Sequence, residues 1–528
     1  MSTPENKAKL YKNAGKPDDL RRRRTESSVE LRKQRGNDEM MKRRNLKVDL
    51  DESYTSASDT EEPQKEKQQQ PLPEKVMTLE EAAVVLQSNP SIEQIRSAFE
   101  AVRRMLSRSS DPPIDLIIQL GFPLALVQAL NVQDEKVQFE AAWSVTNIVS
   151  GTSTQTAALV TVGVIKPLIS IIANSSLKLA EQFCALWAIA NIAGDSVRMR
   201  DALFAEGIVP IIVELINKIT PDFDPSFTRI LAWTISNLCR HKKPPAPFEV
   251  LQQLAPSIII LLQHKDLQTQ SDACWALSYL TDGTDENIEL ANKLNVMPLI
   301  VDFIKSGQTS LISPALRTAG NFATGNDELT SVVIQSGILK DVAPRLLNSD
   351  NVGFAKECCW LLSNILAGNT EQIQEVIDAK LLPILFRILE HGEHKLQYEA
   401  GWAIANLCHG GAVNQILGIL RVKDSIKAMC SNLEVKNNEL IANMLEALYS
   451  IMMTVSNNDP DRLSIVCEQV EECGGLDKIE VLQQHESEHI YGIAFKIIEE
   501  FFSDDGDSDL VLGTEGMEQH PQGGHFNF

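Results

Sequence analysis

The six tryptophans of this 528-residue chain recur at a nearly constant spacing. They stand at positions 143, 187, 233, 275, 360 and 402, and Arg317 fills the one gap in register, so successive steps are 44, 46, 42, 42, 43 and 42 residues. We call these seven positions the ladder positions. A period of this length predicts stacked helical repeats, because each repeat can bury its apolar face only against its neighbours.

Each repeat is predicted to contain three helices. Apolar residues recur with a period near 3.6 in segments of about 8 to 16 residues, and strand-like alternation is nearly absent. A proline precedes every ladder position by 16 to 23 residues, which suits the first turn of a helix. A glycine follows most ladder positions by eight residues and predicts a left-handed cap at the helix end: Gly151, Gly283, Gly325, Gly368 and Gly410.

Three further segments have the same helical pattern without the tryptophan, at residues 93–108, 439–455 and 489–502. A three-helix unit of about 42 residues is typical of armadillo repeats, and of neither tetratricopeptide nor ankyrin repeats. We therefore expect an all-α fold, a right-handed superhelical solenoid of ten armadillo repeats that spans residues 77–502.

Charge divides the chain into a basic arm and an acidic body. The net charge is −22, from 49 Lys and Arg against 71 Asp and Glu, yet residues 1–50 hold 15 basic against 8 acidic residues. We expect a flexible basic arm over residues 1–48, a disordered linker over 49–76 and a disordered acidic tail over 503–528, because these segments lack a core's worth of large apolar side chains. Such asymmetry favours an electrostatic partner.

The sequence argues against several classes of function. No apolar run is long enough to span a membrane and the N-terminus lacks a secretory signal, so we expect a cytosolic or nuclear protein. The segment from His485 to His489 matches the H-E-x-x-H pattern of zinc peptidases, but its polar interior and its place at the start of the last repeat argue against zinc. With neither a phosphate loop nor a convincing nucleophile, we expect no enzyme, no cofactor and no metal.

An asparagine follows five of the tryptophans by four residues. Residues i and i+4 share one face of a helix, so each indole should lie beside a carboxamide, once per repeat. A hydrophobic core would accept Leu or Phe and should have no need of a carboxamide there, which favours a binding surface. The five pairs are Trp143/Asn147, Trp187/Asn191, Trp233/Asn237, Trp360/Asn364 and Trp402/Asn406.

These groups suit an extended basic peptide. A carboxamide can both donate to and accept from a peptide backbone of any sequence, and indole faces attract Lys and Arg. Asp195 ends the helix of Trp187, and acidic residues stand three positions before four ladder positions: Glu140, Asp272, Glu357 and Glu399.

The ladder is interrupted in the middle. Tyr279 replaces the asparagine of one repeat, and Arg317 replaces the tryptophan of the next, where Asn321 is retained. We therefore expect a longer groove from residue 143 to 237 and a shorter one from residue 360 to 406. A ligand with two basic clusters could occupy both.

The chain resembles the importin-α family of nuclear import adaptors over essentially its whole length. DDLRRRRTESSVELRKQRGNDEMMKRRN, residues 18–45, resembles the importin-β-binding arm of that family, and TNIVSGTS and ANIAGDS resemble its repeat signatures. The resemblance implies an adaptor that binds cargo proteins through mono- or bipartite nuclear localisation signals and links them to importin-β. It also implies the export receptor CAS with Ran-GTP and nucleoporins as partners, and shuttling between cytoplasm and nucleus with transient residence at the nuclear envelope and its pores.

The resemblance also implies roles for individual residues. Asp195, Gly151 and Thr156 are expected to hold the most critical lysine of the signal, and Ile230, where many relatives are expected to have Asn, to weaken one edge. The expected major signal-peptide site consists of Trp143, Asn147, Gly151, Thr156, Trp187, Asn191, Asp195, Trp233 and Asn237. The expected minor site consists of Arg317, Asn321, Glu357, Trp360, Asn364, Glu399, Trp402 and Asn406.

The basic arm is expected both to bind importin-β and to autoinhibit the groove. The signal-like cluster at residues 42–45 is joined to the first repeat near Thr78 by about 33 residues, which span at most ~110 Å. A flexible tether gives it an effective concentration of order mM, so it should compete with cargo until importin-β captures the arm. The arm residues are Arg21, Arg22, Arg23, Arg24, Arg32, Lys33, Lys42, Arg43 and Arg44.

Two alternatives compete with this interpretation. The run Arg21–Arg24 could bind nucleic acid, but the nearby Leu20, Val29 and Leu31 suit an amphipathic helix wrapped by an acidic protein. We therefore expect neither nucleic acid nor a membrane as a direct partner. A catenin-like armadillo scaffold, the second alternative, would present a basic groove to acidic ligands, opposite to the carboxylates found here.

Overall fold

The computed structural model describes residues 77–108, 110–175, 179–220, 223–240 and 243–503. The predicted basic arm, the linker and all but the first residue of the acidic tail lie outside these ranges, so what was expected of them stays a prediction. Within the described ranges the regular secondary structure is helical and contains no β-strand, which confirms the all-α prediction.

The helices are numbered along the chain. They are α1 (Leu79–Gln87), α2 (Ile92–Leu106), α3 (Ile114–Gln119), α4 (Phe122–Leu130), α5 (Glu135–Val149), α6 (Ser153–Thr161), α7 (Ile165–Ala173), α8 (Leu179–Asp195), α9 (Val197–Ala205), α10 (Ile208–Asn217), α11 (Pro225–Arg240), α12 (Phe248–Leu262), α13 (Leu267–Leu280), α14 (Asp285–Lys293), α15 (Met297–Lys305), α16 (Thr309–Phe322), α17 (Asp327–Gln335), α18 (Ile338–Asp341), α19 (Ala343–Leu347), α20 (Val352–Ile365), α21 (Thr370–Asp378), α22 (Leu382–His391), α23 (His394–Gly410), α24 (Val413–Ile419), α25 (Ser425–Cys430), α26 (Asn438–Asn458), α27 (Leu463–Glu472), α28 (Gly475–Leu482) and α29 (Glu488–Phe501). No single described helix is both long and apolar enough to cross a membrane, although the bent pair α6 and α7 meets the length and composition criteria together.

Local sequence signals fix where many of these helices begin. Before α6, the Thr152 hydroxyl accepts from the Gln155 N–H while the Gln155 side chain accepts from the Thr152 N–H. Asn369 and Gln372 make the same reciprocal pair before α21. Such capping boxes satisfy two N–H groups that the first turn leaves without helical partners.

The ladder helices pack side by side in two compact units, one ending at Leu385 and the other beginning at Phe386. In the first unit α5 packs on α8, α8 on α11, α11 on α13, α13 on α16 and α16 on α20. In the second unit α23 packs on α26, and α26 on α29. Shorter helices cover them, as α4 covers α5 and α7 covers α8. The stacked helical repeats follow the prediction, while the count of ten stays a prediction.

The glycines that follow the ladder positions do not form left-handed caps, so that prediction was wrong. None of the five has a positive φ angle. A Cβ on Gly151 would overlap the side-chain oxygen of Gln155, so this glycine makes room for the capping box of the next helix. Six described glycines have a positive φ angle. Gly307 precedes the ladder helix α16, and the other five lie where the first helix of a repeat turns into the second: Gly121, Gly163, Gly207, Gly337 and Gly474.

Candidate functional site

The first four ladder tryptophans lie on ladder helices that pack on one another in sequence. Trp143, Trp187, Trp233 and Trp275 belong to α5, α8, α11 and α13. The ring centroids of Trp187 and Trp233 are 6.4 Å apart with an interplanar angle of 83°, an edge-to-face contact. Phe139, one turn before Trp143, supports that ring in the same way at 5.4 Å. Residues 46 positions apart in the sequence thus form neighbouring steps of one row of rings.

The ladder asparagines form a second row, of hydrogen bonds between repeats. Asn191 Nδ2 donates to the Thr146 carbonyl oxygen at 3.2 Å, and Asn237 Nδ2 donates to the Ala190 carbonyl oxygen at 2.9 Å. In both cases the acceptor is the residue just before the ladder asparagine of the preceding repeat. Equivalent bonds join Asn147 to Leu106 (3.4 Å), Asn321 to Ser278 (2.9 Å) and Asn364 to Gly320 (3.3 Å).

The asparagines therefore have a structural role that was not expected from the sequence: they join each repeat to the preceding one by hydrogen bonds. All five side chains are at most 1% exposed. The Thr146 carbonyl oxygen also accepts from the Ser150 N–H of its own helix, so the Asn191 amide is a second donor, from the next repeat. Such a hydrogen bond contributes about 0.5–1.5 kcal/mol, which stabilises the packing of one ladder helix on the next. The expectation that packing has no need of a carboxamide was therefore wrong, because closely packed helix backbones create that need.

The residue that precedes each ladder asparagine was not predicted to matter, although its pattern is visible in the sequence. The residues at this position in the seven repeats are all small: Thr146, Ala190, Ser236, Ser278, Gly320, Ser363 and Ala405. A Cβ on Gly320 would overlap the Trp360 ring, so this indole lies directly on the backbone of the preceding helix. A small side chain here lets the next tryptophan approach.

Packing also determines how much of each indole remains accessible. Trp233 is 1% exposed and Trp360 is completely buried, whereas Trp187 and Trp275 are half-buried. Ile230, the expected departure at one edge of the major site, is 6% exposed and packs in the core. The tryptophans are therefore part of the core as well as members of the row.

One ladder tryptophan already holds a cation. The guanidinium carbon of Arg103, on the last turn of α2, lies 4.9 Å from the Trp143 ring centroid, and Arg103 Nε donates to Glu140 Oε2 at 2.5 Å. Burial raises the pKa of the Glu140 carboxyl group, and the Arg103 charge opposes that shift. A ladder ring and a carboxylate three residues before it thus bind a guanidinium, as the sequence chemistry predicts for a ligand. Arg103 was not predicted from the sequence, because its repeat has no tryptophan to set the register.

The chain's own side chains fill the interruption of the ladder. Tyr279 stacks on Trp275 with ring centroids 5.9 Å apart. The Arg317 guanidinium carbon lies 5.1 Å from the Trp275 centroid, and Arg317 Nη2 is 3.6 Å from Glu357 Oε1. Asn321 keeps its inter-repeat hydrogen bond, so the amide row continues where the indole row stops.

The residues expected to hold a critical lysine meet where α5 and α8 end. The Thr156 hydroxyl donates to the Val149 carbonyl oxygen at 3.2 Å, beside the turn that contains Gly151. Ser153, which sequence analysis missed, donates to Asp195 Oδ1 at 3.0 Å and positions that carboxylate. The structure thus gathers oxygen atoms from two consecutive repeats at this corner.

The expected minor site is divided between the two units. Within the first unit, Arg317 and Glu357 form the ion pair described above. Within the second unit, the three expected residues are all on α23 and at most 7% exposed: Glu399, Trp402 and Asn406. The preceding Tyr398 donates to Glu439 Oε2 at 2.6 Å, which joins α23 to α26.

The zinc-peptidase pattern does not place its two histidines together. His485 lies before α29 and accepts from the Ser487 N–H at 3.0 Å, whereas His489 Nε2 lies 2.8 Å from Glu446 Oε1. His409 Nε2 lies 3.3 Å from the other oxygen of the same carboxylate, Glu446 Oε2. Within the described ranges, no group of three or more His, Cys, Asp and Glu side chains is arranged to hold a metal ion.

Comparisons with known families and folds agree with this architecture. Residues 7–98 match the importin beta binding domain, and residues 110–150, 248–282 and 369–409 match the armadillo/beta-catenin-like repeat. Residues 464–515 match an atypical Arm repeat. An engineered protein of known structure has the same fold, with a TM-score of 0.70 at 23% identity over 80% of this chain and 99% of that one. The predicted armadillo-repeat solenoid is confirmed.

Curated relatives cover nearly the whole chain. It is 48% identical over 495 residues to importin subunit alpha-2 of Caenorhabditis elegans, which covers 94% of this chain and 92% of that protein. It is 36% identical to importin subunit alpha-3 of the same organism, covering 97% and 95% of the two chains, and 34% identical to importin subunit alpha-1a of Oryza sativa subsp. japonica, covering 98% and 95%. The chain belongs to the importin subunit alpha family.

Proposed function

We propose how this chain performs the nuclear import adaptor function of its family, whose members are transport adaptors and not enzymes. The ladder helices α5, α8 and α11 bind the basic residues of a nuclear localisation signal, and the N-terminal arm binds importin-β. One observation carries the first part: Trp143 and the buried Glu140 hold the guanidinium of Arg103. A lysine or arginine of a cargo signal would meet an indole face at the half-buried Trp187, with Asp195 at the end of the same helix as the carboxylate.

The corner at the ends of α5 and α8 would bind one lysine of the signal with particular strength. An ammonium group has three donors and no acceptor, so it needs oxygen atoms around it. Asp195 supplies a carboxylate held by Ser153, and the buried Thr156 hydroxyl, which donates to Val149, holds the turn beside it. The proposed major site is Trp143, Asn147, Gly151, Thr156, Trp187, Asn191, Asp195, Trp233 and Asn237.

A second basic cluster of a bipartite signal would bind at the minor site. Its carboxylates, Glu357 and Glu399, stand three residues before Trp360 and Trp402, in the relation that Glu140 has to Trp143. The same arrangement should attract the same kind of cation. The proposed minor site is Arg317, Asn321, Glu357, Trp360, Asn364, Glu399, Trp402 and Asn406.

The arm would connect cargo binding to importin-β. The importin beta binding domain match at residues 7–98 includes the basic segments Arg21–Arg24, Arg32–Lys33 and Lys42–Arg44. The last of these resembles a localisation signal, and its tether is long enough to reach the ladder helices. We propose that it occupies the groove until importin-β captures the arm.

Transport also requires release and return. We propose that the export receptor CAS with Ran-GTP returns the chain to the cytoplasm, and that nucleoporins contact it during passage. The chain would therefore shuttle between cytoplasm and nucleus and reside briefly at the nuclear envelope. Family membership supports this part of the proposal.

A peptide titration tests the groove. The full chain is titrated with a labelled Pro-Lys-Lys-Lys-Arg-Lys-Val peptide, beside Asp195→Asn and the matched control Asp341→Asn. Asp341 pairs with Lys305 at 3.0 Å and is exposed, away from the ladder row. We expect Asp195→Asn to weaken binding about tenfold, the loss of one charged hydrogen bond, and Asp341→Asn to leave it unchanged. Equal affinities of the wild-type chain and both variants would refute the proposed lysine corner.

A further inference from the structure

Two arginines of the first unit occupy equivalent places at opposite ends of the tryptophan row. Arg103 lies over Trp143, the first ring, and Arg317 lies over Trp275, the last ring before the interruption. Each also pairs with a carboxylate three residues before a ladder position, Glu140 in one case and Glu357 in the other. The chain thus places its own cation where a ligand's cation would otherwise bind.

These internal cations are well shielded from water. The side chains of Arg103 and Arg317 are 20% and 18% exposed, and those of Glu140 and Glu357 are 4% and 10% exposed. A cation over an indole ring gains more free energy when both are desolvated, and a tethered side chain competes far better than a dissolved one. A peptide lysine would therefore have to displace an arginine that cannot diffuse away.

We infer that Arg103 and Arg317 close the two ends of the row from Trp143 to Trp275, and so limit the length of the basic run that the groove binds and fix its register. This inference rests on the proposed binding of basic signals. It assigns both arginines a role in specificity, with Arg103 acting at one end of the peptide and Arg317 at the other.

The test uses peptides that are longer at one end. The parent is Pro-Lys-Lys-Lys-Arg-Lys-Val, and two extended peptides carry two further lysines at the N-terminal or the C-terminal end. The readout is the ratio of parent to extended dissociation constants, measured with the full chain by fluorescence anisotropy. The ratio cancels any effect that competition from the arm has on all three peptides.

Opposite responses are expected from the two ends. Arg103→Met should make one extended peptide bind about 5- to 10-fold tighter than the parent, because a peptide lysine can now bind at Trp143 and Glu140. Arg317→Met should do the same for the peptide extended at the other end. The wild-type chain should show no such gain for either peptide.

Three control variants separate this effect from loss of charge or of fold. Arg96→Gln removes a cation from the same helix as Arg103, where it pairs with Asp134, and should give the wild-type ratios. Arg103→Lys keeps a cation at the ring and should also give the wild-type ratios. Arg103→Gln removes the charge but keeps a hydrogen-bond donor beside Glu140, so it should reproduce the Met effect if Arg103→Met fails to fold.

The outcomes separate this inference from the function on which it rests. Failure of the wild-type chain to bind the parent peptide would refute both. Normal binding of the parent, with wild-type ratios in both arginine variants or with both variants favouring the same extended end, would overturn only the inference about the two arginines.

Discussion

Two stretches of the ladder share the row of asparagine hydrogen bonds and differ in the row of indole rings. They run from Trp143 to Trp233 and from Trp275 to Arg317. In both, a ladder asparagine donates to the backbone of the preceding repeat, as Asn237 and Asn321 show. Only the first stretch continues the row of rings; in the second, Tyr279 and Arg317 cover Trp275.

The difference separates two roles that coincide in the Trp/Asn pairs. The amide row holds repeats together, so it persists where the indole row is lost. The indole row, by contrast, ends at Trp275, where the Arg317 side chain lies over the ring. A repeat can thus keep its structural asparagine without contributing a tryptophan to the row.

The largest expected difference concerns the tryptophans. Trp233→Ala should lower the free energy of unfolding by about 3–5 kcal/mol, because it empties a fully buried site. Trp275→Ala should cost less than half of that, because Trp275 is half-buried and its neighbours are stacked side chains. Urea unfolding followed by circular dichroism measures both. Equal losses would contradict the view that the two rings differ in their contribution to the core.

The asparagines should behave alike in stability and differently in binding. Asn237→Ala and Asn321→Ala each remove a hydrogen bond between repeats, worth about 0.5–1.5 kcal/mol of unfolding free energy, together with the packing of a buried side chain. Asn237→Ala should also weaken binding of the basic peptide at the proposed major site, whereas Asn321, a member of the proposed minor site, should not affect binding there.

The exposed Asn131 provides a control, because its amide bonds to Val127 of its own helix. Asn131→Ala should change stability by less than about 0.5 kcal/mol. If Asn321→Ala proved equally harmless, the amide row would not be a continuous structural feature, and the comparison between the two stretches would fail.

The smallest effect is expected in the second unit, which serves as a region outside both stretches. The hydrogen bond from His409 to Glu446 raises the pKa of His409 above its usual value, although burial opposes this. Its contribution, about 1 kcal/mol, should be complete below about pH 6.5 and lost as the pH rises through the folded-state pKa.

Thermal unfolding at several pH values measures this contribution. The stability difference between wild type and His409→Gln should shrink from pH 6 to pH 8, while peptide binding to the first unit stays the same in both. A difference that grew with pH would show that His409 is stabilised in its neutral form.

Periodicity made the fold predictable, whereas local packing decided most of what the sequence did not reveal. Tryptophan spacing is a long-range signal, and it correctly indicated stacked helical repeats. The role of Gly151 depends on where the Gln155 side chain lies, and that of Arg103 on the approach of α2 to Trp143. Neither the distance from Gly151 to the Gln155 side chain nor that from Arg103 to Trp143 can be predicted from the spacing of residues in the sequence. The site roles of the ladder residues remain predictions.

The 6.4 Å step between Trp187 and Trp233 matches the geometry of an extended chain. A β-strand advances about 6.6 Å over two residues, and side chains two apart point the same way. An extended peptide lying along these two rings would present side chains of the same orientation to both. In the proposed binding mode, the spacing of these two repeats therefore fits a straight, extended peptide.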